Sequence, residues 1–152
     1  MPRIVREADI VWEGTTARGS GVVTAASSGA FALPTTNASR IADPGGRTSP
    51  EELLAAAHAS CFVTSLGSEL ARAGTPPERM RVHCTITMDE VSGQGHRIVA
   101  SAISASAVVP GCDPAEFARV VEAADEGCPF SALVKASAAV TVDARLEDAN
   151  GD

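Results

Sequence analysis

The opening part of the chain carries short segments in which apolar and polar residues mix at strand length. Residues 3–13 and 19–26 are two such segments, and the turn-like sequence EGTTARG joins them. Two short extended segments around a turn predict a hairpin. Residues 30–34 add a third candidate strand. We therefore predict a group of opening strands within residues 3–34.

A second group of strands is predicted in the other half of the chain. From Met80 to Met88, apolar and polar residues alternate, which is the period of a strand with one buried face. Cys84 falls on the apolar face of this strand. The turn SGQG leads into residues 97–109, rich in Val, Ile and Ser, and the two segments predict another hairpin. A last strand is predicted at 136–146.

One long helix separates the two groups of strands. The stretch 42–49 is rich in Gly, Pro and Ser and predicts a linker loop. It ends in a helix-start signature, with Ser49 as N-cap, Pro50 at the first helical position and Glu52 three residues after the cap. A glycine and two prolines stop the apolar pattern. The sequence thus predicts a central helix over 50–73.

A second helix has the same kind of start. Asp113, Pro114 and Glu116 supply the cap, the proline and the third-position acid. The helix is predicted to end at Gly127, and a short helical turn is predicted after Cys128. Strands grouped around helices without strict alternation favour an α+β fold.

Length and composition are those of a globular protein. The 152 residues fit a single domain, 1–152, with its C-terminal αβ part at 79–147. Hydrophobic residues make up 45% and charged residues 20%, which is ordinary usage. A net charge of -7 and an aromatic content of 3% argue against surfaces that bind phosphates or stack bases. We expect no nucleic-acid partner.

No targeting or membrane segment is expected. The start MPRIVREADIVW lacks a basic region followed by an apolar core and a cleavage site, so we expect a cytoplasmic protein. The apolar run 53–66 is interrupted by a histidine and by hydroxyl residues, which favours a buried helix over a membrane span. In a reducing compartment the four cysteines are expected as free thiols, a redox pair or metal ligands.

Cys61 lies in the middle of the predicted central helix, among Ala, Ser and Phe residues. A cysteine in such surroundings packs as a small hydrophobe unless something activates it. The helix dipole does not, because its effect fades within the first turn. Lowering the thiol pKa from about 8.5 to about 6 takes roughly 3.4 kcal/mol. A reactive Cys61 therefore requires a cation from elsewhere in the fold, and packing and chemistry both stay open.

Cys128 follows a helix-ending glycine and precedes a proline, so it could cap the next turn, where backbone N–H groups favour a thiolate. A plain loop cysteine fits the same pattern. His58 lies one turn before Cys61 and is interpreted as a hydrogen-bonded helix histidine rather than a base. The chain has no CxxC pair, and its three histidines are not spaced as ligands, so we expect no metal site.

Together these motifs resemble the superfamily of osmotically inducible protein C and organic hydroperoxide resistance proteins (OsmC/Ohr), and its OsmC branch more closely. The shared features are VWEGTTARGSG near the start, PEELLAAAHASCF, the strand end AVVPG and the CP-x-S element of GCPFSALVKA. They occur in the family's order over nearly the whole chain. The resemblance implies an OsmC-like α+β fold with antiparallel sheets around a long central helix, in an intertwined homodimer.

The resemblance also implies a thiol-dependent peroxidase that reduces organic hydroperoxides. By motif position Cys61 would be the peroxidatic thiolate, and Cys128 the resolving thiol that forms a disulfide with it. Glu51 matches the family's helix-start glutamate, which orients a catalytic arginine. Arg18 matches the arginine of the hydroperoxide-resistance branch and Arg40 that of the OsmC branch. We favour Arg40, although the sequence does not decide between them.

We also expect an apolar pocket that favours organic hydroperoxides over hydrogen peroxide by burying the organic group. Its expected lining is Leu54, Phe62, Pro129 and Phe130. The expected partners are a second copy of the chain, the hydroperoxide and a dithiol reductant, for which the resemblance suggests a lipoylated protein. No metal or other cofactor is expected, because thiols carry the chemistry.

Two other function classes fit the same residues. A non-catalytic stress or ligand-binding protein could use this fold with vestigial cysteines, and it would keep its affinity when Cys61 becomes Ala. A thiol–disulfide exchange or acyl-transfer enzyme could also use a buried thiolate, and exchange would need no peroxide. Outside the family motifs, Cys84 is expected in the core and Cys112 in an exposed turn.

Overall fold

The computed structural model describes residues 2–149 and forms two compact units, Met1–Leu53 and Leu54–Asp152, here called the N-terminal unit and the C-terminal unit. The elements in chain order are β1 (Asp9–Glu13), β2 (Ser20–Thr24), β3 (Ala32–Thr35), α1 (Asn37–Ile41), α2 (Pro50–Arg72), β4 (Arg79–Val91), β5 (Gly95–Val108), α3 (Pro114–Gly127), α4 (Pro129–Lys135) and β6 (Ala139–Leu146). This order confirms the α+β fold class. The single domain over 1–152 stays a prediction.

The N-terminal unit contains an antiparallel sheet in the order β1-β2-β3. The predicted opening strands are therefore confirmed, with shorter bounds. Gly21 lies where a side chain would come within 2.8 Å of the Trp12 ring, so glycine lets β1 and β2 pair there. The sequence did not predict α1, a single short helix whose N-cap Thr36 and Ser39 form a reciprocal capping box.

The central helix α2 begins and ends within one residue of its predicted bounds. The Ser49 hydroxyl accepts the Glu52 backbone N–H at 3.2 Å, as the capping signature requires. The buried positions on α2 are one turn apart and form one face: His58, Phe62, Leu66 and Leu70. A single buried face is typical of a helix that packs against other elements of a globular core.

By length and mean hydropathy (1.2), α2 is also the one helix within residues 2–149 that could cross a membrane. Length and composition alone do not distinguish such a span from the core helix of a globular protein. The expectation of no membrane stays a prediction.

The C-terminal unit contains a sheet in the order β4-β5-β6. The pair β4 and β5 is antiparallel, as the hairpin prediction requires, but β6 runs parallel to β5. The expectation of purely antiparallel sheets is therefore wrong for this last strand. The reason is the connection, because α3 and α4 lie between β5 and β6 and return the chain to the other end of the sheet, which a parallel pair requires.

The core of the C-terminal unit lies between its helices and its sheet. It is built from three groups of buried apolar side chains, which belong to α2, β5 and α3: Phe62, Leu66 and Leu70; Ile103, Ala105 and Ala107; Phe117, Val120 and Ala124. Cys128 belongs to the same cluster, and Cys61 and Cys84 pack against it. The core thus fixes the backbone on both sides of the two cysteines that the motifs single out.

Candidate active site

Cys61 lies on α2, half-buried, directly before the fully buried Phe62. Its backbone carbonyl accepts the Thr64 hydroxyl at 2.8 Å, within the same helix. All four cysteines carry free thiols. Cys61 therefore lies at the edge of the core and is partly exposed.

Cys128 is the N-cap of α4 and is fully buried. Gly127 ends α3, and Pro129 opens α4 at its first position, so the cap falls on the cysteine between them. The Cys128 sulfur accepts the Ser131 backbone N–H at 3.5 Å. The capping position predicted for Cys128 is confirmed.

The structure brings the two thiols together. Burial is the largest influence on both sulfurs and by itself raises the pKa of each. At Cys128, burial is outweighed by donors from the Ser131 backbone, the Cys61 thiol and the Ser131 hydroxyl, so the pKa of this thiol is lowered. At Cys61, burial and the neighbouring Cys128 outweigh the Phe130 backbone N–H, and the pKa is raised. Of these two sulfurs, Cys128 is therefore the one that ionises first.

Arg40 and Glu51 form an ion pair in the N-terminal unit. Nε and Nη2 of Arg40 both donate to Oε1 of Glu51, at 2.7 and 2.6 Å. The Glu51 side chain is 16% exposed and that of Arg40 41%. Burial raises the pKa of Glu51, but the hydrogen bond and the charge of Arg40 outweigh it, so the pKa is lowered overall. Glu51 is thus a carboxylate at neutral pH.

The Glu51 carboxylate has a second acceptor oxygen. Its second oxygen, Oε2, is buried and has no hydrogen-bond partner among residues 2–149. A buried carboxylate oxygen without a donor is costly. The carboxylate therefore holds Arg40 through one oxygen and leaves the other open to a further donor.

Arg18 lies in the turn between β1 and β2 and is exposed. Its backbone N–H donates to the carbonyl of Thr15 at 3.3 Å and so helps to close the turn. Of the two candidate arginines, the N-terminal unit pairs Arg40 with Glu51. The geometry inside this unit therefore favours Arg40 as the candidate catalytic arginine.

The four residues expected to line a pocket differ in their burial. Phe62, whose role at a pocket stays a prediction, is fully buried in the core. The helical period explains this, because Phe62 is one turn from His58 and Leu66 on the buried face. Leu54 and Phe130 are half-buried and Pro129 is exposed, and their role at a pocket stays a prediction.

The N-terminal unit has an apolar cavity of about 240 Å³ that the sequence did not reveal. Its lining comes from the strands, the residues before them and the start of α2: Ala8, Asp9, Ile10, Val23, Thr35, Pro50 and Leu53. Residues so far apart in the chain carry no local signal of a shared cavity.

His58 is fully buried and hydrogen-bonded at both ring nitrogens. Nδ1 lies 2.7 Å from the Ser101 hydroxyl and Nε2 lies 2.9 Å from the Ser131 hydroxyl. The interpretation of His58 as a hydrogen-bonded helix histidine is confirmed.

Comparison with known proteins gives a consistent family. The sequence model of the family described as OsmC-like protein matches residues 43–143. Peroxiredoxin OsmC of Escherichia coli (strain K12) is 35% identical over 136 residues, which cover 90% of this chain and 92% of that protein. The organic hydroperoxide resistance protein of Xanthomonas axonopodis pv. citri (strain 306) is 29% identical over 99 residues, 64% of this chain and 67% of that protein.

Solved structures show the same fold. The crystal structure of an organic hydroperoxide resistance protein OsmC from Legionella pneumophila superposes with a TM-score of 0.74 at 20% identity. The superposition covers 93% of this chain and 98% of that one. At this identity the likeness concerns the fold.

Proposed function

Because this chain belongs to the OsmC-like family, we propose that it is a thiol-dependent peroxidase that reduces organic hydroperoxides to alcohols. The observation that carries the proposal is that two free thiols, Cys61 and Cys128, lie next to each other in the C-terminal unit. The reaction class is supported by the names of two relatives, a peroxiredoxin and an organic hydroperoxide resistance protein.

In the first step, the Cys61 thiolate attacks the distal oxygen of the hydroperoxide. A sulfur–oxygen bond forms, the oxygen–oxygen bond breaks, and the alkoxide leaves and takes up a proton, so that Cys61 becomes a sulfenic acid and the alcohol is released. The raised pKa of Cys61 means that its thiolate needs a cation. We assign this role to Arg40, which Glu51 holds, and which also stabilises charge developing on the oxygens.

In the second step, the Cys128 thiolate attacks the sulfur of the Cys61 sulfenic acid. A sulfur–sulfur bond forms, the sulfur–oxygen bond breaks, and the hydroxyl leaves with a proton as water. The lowered pKa of Cys128 supports this role, because the thiolate is the nucleophile. The disulfide protects Cys61 from irreversible oxidation, and a dithiol reductant restores both thiols by exchange.

The protein is proposed to act as a homodimer in the cytoplasm. The apolar side chains exposed on the N-terminal sheet support association with a second copy, since Val11 is 68% exposed and Ile10 and Val22 are also open to solvent. An apolar site is proposed to bind the organic group of the substrate. A lipoylated protein is the proposed physiological reductant.

Turnover tests the proposal. We would measure the reduction of an aryl hydroperoxide with dihydrolipoamide for the wild type, Cys61→Ser and Cys128→Ser, with Cys112→Ser as a matched control. We expect Cys61→Ser to lose at least about a thousandfold in rate, because it removes the nucleophile. Cys128→Ser should be impaired and accumulate oxidised Cys61, while Cys112→Ser should match the wild type. A folded, fully reduced wild type without turnover would contradict the proposal.

Thiol–disulfide exchange is the second candidate, and the lowered pKa of Cys128 is the observation that favours it. Such an enzyme would reduce a small aromatic disulfide without peroxide. It would also keep this activity in Cys61→Ser if Cys128 were the attacking thiol. Exchange that is fast in Cys61→Ser, together with slow peroxide turnover in the wild type, would make this the primary function.

A further inference from the structure

Neither step of the proposed reaction uses His58, although it is ionisable, fully buried and one turn before Cys61. Its two ring nitrogens join two serines from different elements, Ser101 on β5 and Ser131 on α4. Both serines are fully buried. A buried polar cluster destabilises a core unless each of its polar groups forms hydrogen bonds. The hydrogen-bond partners of His58, Ser101 and Ser131 therefore decide what the cluster can do.

Each end of this cluster contacts a cysteine. Ser131 donates its backbone N–H to the Cys128 sulfur at 3.5 Å, and a hydrogen bond from its hydroxyl lowers the pKa of the Cys128 thiol. Ser101 Oγ lies 3.3 Å from the sulfur of Cys84. The contacts thus form one buried chain of groups, which we call the histidine chain: Cys84, Ser101, His58, Ser131 and Cys128.

The number of protons on each group restricts the direction in which the hydrogen bonds of the histidine chain can be donated. The Ser131 hydroxyl has one proton, and if it donates this proton to the Cys128 sulfur it must accept from Nε2–H of His58. Nδ1 of the neutral ring then accepts from the Ser101 hydroxyl, whose oxygen accepts the Cys84 thiol. In the opposite direction the Ser131 hydroxyl would donate to Nε2 and present only lone pairs to Cys128.

The surroundings of His58 keep its ring neutral. Burial is the main influence and lowers its pKa, Asp125 on α3 raises it, and Lys135 on α4 lowers it. Asp125 and Lys135 are themselves an ion pair at 2.6 Å, so their effects oppose each other. With a pKa below its ordinary 6.5, His58 has one N–H and one acceptor nitrogen at neutral pH, as the chain requires.

We propose that His58 is a positioning residue for Cys128: its Nε2–H fixes the Ser131 hydroxyl so that the hydroxyl proton points at the Cys128 sulfur and stabilises the thiolate. His58 itself contacts no reacting atom. Its part in catalysis rests on the proposed function, since the stabilised thiolate is the nucleophile that forms the disulfide.

The test follows the titration of each cysteine in the reduced protein by NMR of the cysteine β-carbon resonances, which needs no peroxide. His58→Asn shortens the side chain, so that its amide reaches Ser101 but not Ser131. His58→Gln can carry an amide N–H to the place of Nε2. Ser131→Ala removes the hydroxyl and keeps His58, and Ser60→Ala, on the exposed face of α2, is the matched control.

We expect His58→Asn and Ser131→Ala to raise the pH midpoint of Cys128 by about one unit, because a hydrogen bond to a charged group is lost. His58→Gln should restore most of the wild-type midpoint, and Ser60→Ala should leave it unchanged. The midpoint of Cys61 should not rise with that of Cys128, because a less ionised Cys128 repels the Cys61 thiolate less.

Two results would overturn the proposal. One is an unchanged Cys128 midpoint in folded Ser131→Ala and His58→Asn. The other is a lowered midpoint in both, as expected if His58 only fills space and its loss lets water reach the sulfur. Because the titration uses reduced protein alone, a failed peroxidase assay does not affect it, and a normal titration does not establish turnover.

Discussion

The two units of the molecule stabilise negative charge by different means. In the N-terminal unit a full positive charge, on Arg40, lies against the Glu51 carboxylate near solvent. In the C-terminal unit the Cys128 sulfur is surrounded by neutral donors in a fully buried position. A buried charge without a partner is expensive, whereas neutral hydrogen bonds can be satisfied inside a core. The exposed position therefore suits a charged partner, and the buried position suits neutral hydrogen-bond donors.

This difference separates the two cysteines. Neutral donors suffice to lower the pKa of Cys128, but the same surroundings leave the pKa of Cys61 raised. The step that uses Cys61 as nucleophile should therefore depend on a cation, and the step that uses Cys128 should not. Changes to Arg40 and changes to the histidine chain should accordingly affect different steps.

The largest effect is expected from Arg40→Ala. It should lower kcat/KM for an aryl hydroperoxide by about 100- to 1000-fold, because it removes the charge that we propose to stabilise the thiolate and the leaving oxygen. The pH midpoint of Cys128 should stay unchanged. Rapid-mixing kinetics with the peroxide and the titration of Cys128 measure the two quantities.

The matched control is Arg47→Ala, since Arg47 is an exposed arginine in the loop after α1 and its loss should leave the rate as in the wild type. Arg18→Ala decides between the two candidate arginines. A large loss in Arg18→Ala with little loss in Arg40→Ala would show that the arginine has been assigned wrongly.

A smaller effect is expected on stability against pH. His58 has a lowered pKa, so the unfolded chain takes up a proton that the folded chain refuses once the pH falls below about 6.5. The free energy of unfolding should therefore decrease as the pH falls through this region. His58→Gln should flatten this part of the profile, as measured by urea unfolding at a series of pH values.

Glu51 should act in a lower pH window. Its lowered pKa contributes stability above about 4.5, and this contribution is lost as the pH falls through the folded value. Glu51→Gln should therefore lower the free energy of unfolding at every pH above about 4.5, and it should change the slope of the pH profile only in the more acid region. If His58→Gln and Glu51→Gln changed the slope of the stability profile in the same pH range, the contrast between a neutral buried histidine and an ionised carboxylate would be wrong.

The sequence predicted best those structural features that are determined by residues close together in the chain. The starts of α2 and α3 follow from a cap, a proline and an acid within four positions, and the structure has both. The single turn α1 was missed because its five residues are too few for a periodic pattern. The parallel pairing of β6 was missed because it depends on where two helices return the chain, which no local pattern encodes.

The candidate site divides in the same way. The motifs gave Cys61, Cys128 and Glu51, but Ser101 and Ser131 lie 43 and 73 positions from His58. Serines carry no signal of a buried role, since most serines are exposed. Only the folded chain shows that the two serines and His58 form one path to the Cys128 sulfur.

The most direct test of the account is to map the disulfide formed when the reduced protein meets one equivalent of an aryl hydroperoxide without reductant. Peptide mass spectrometry under non-reducing conditions identifies the linked cysteines. We predict a link between Cys61 and Cys128 within each chain, with Cys84 and Cys112 still free. Peroxide that is left unconsumed, or consumed with Cys61 and Cys128 unlinked, would contradict it.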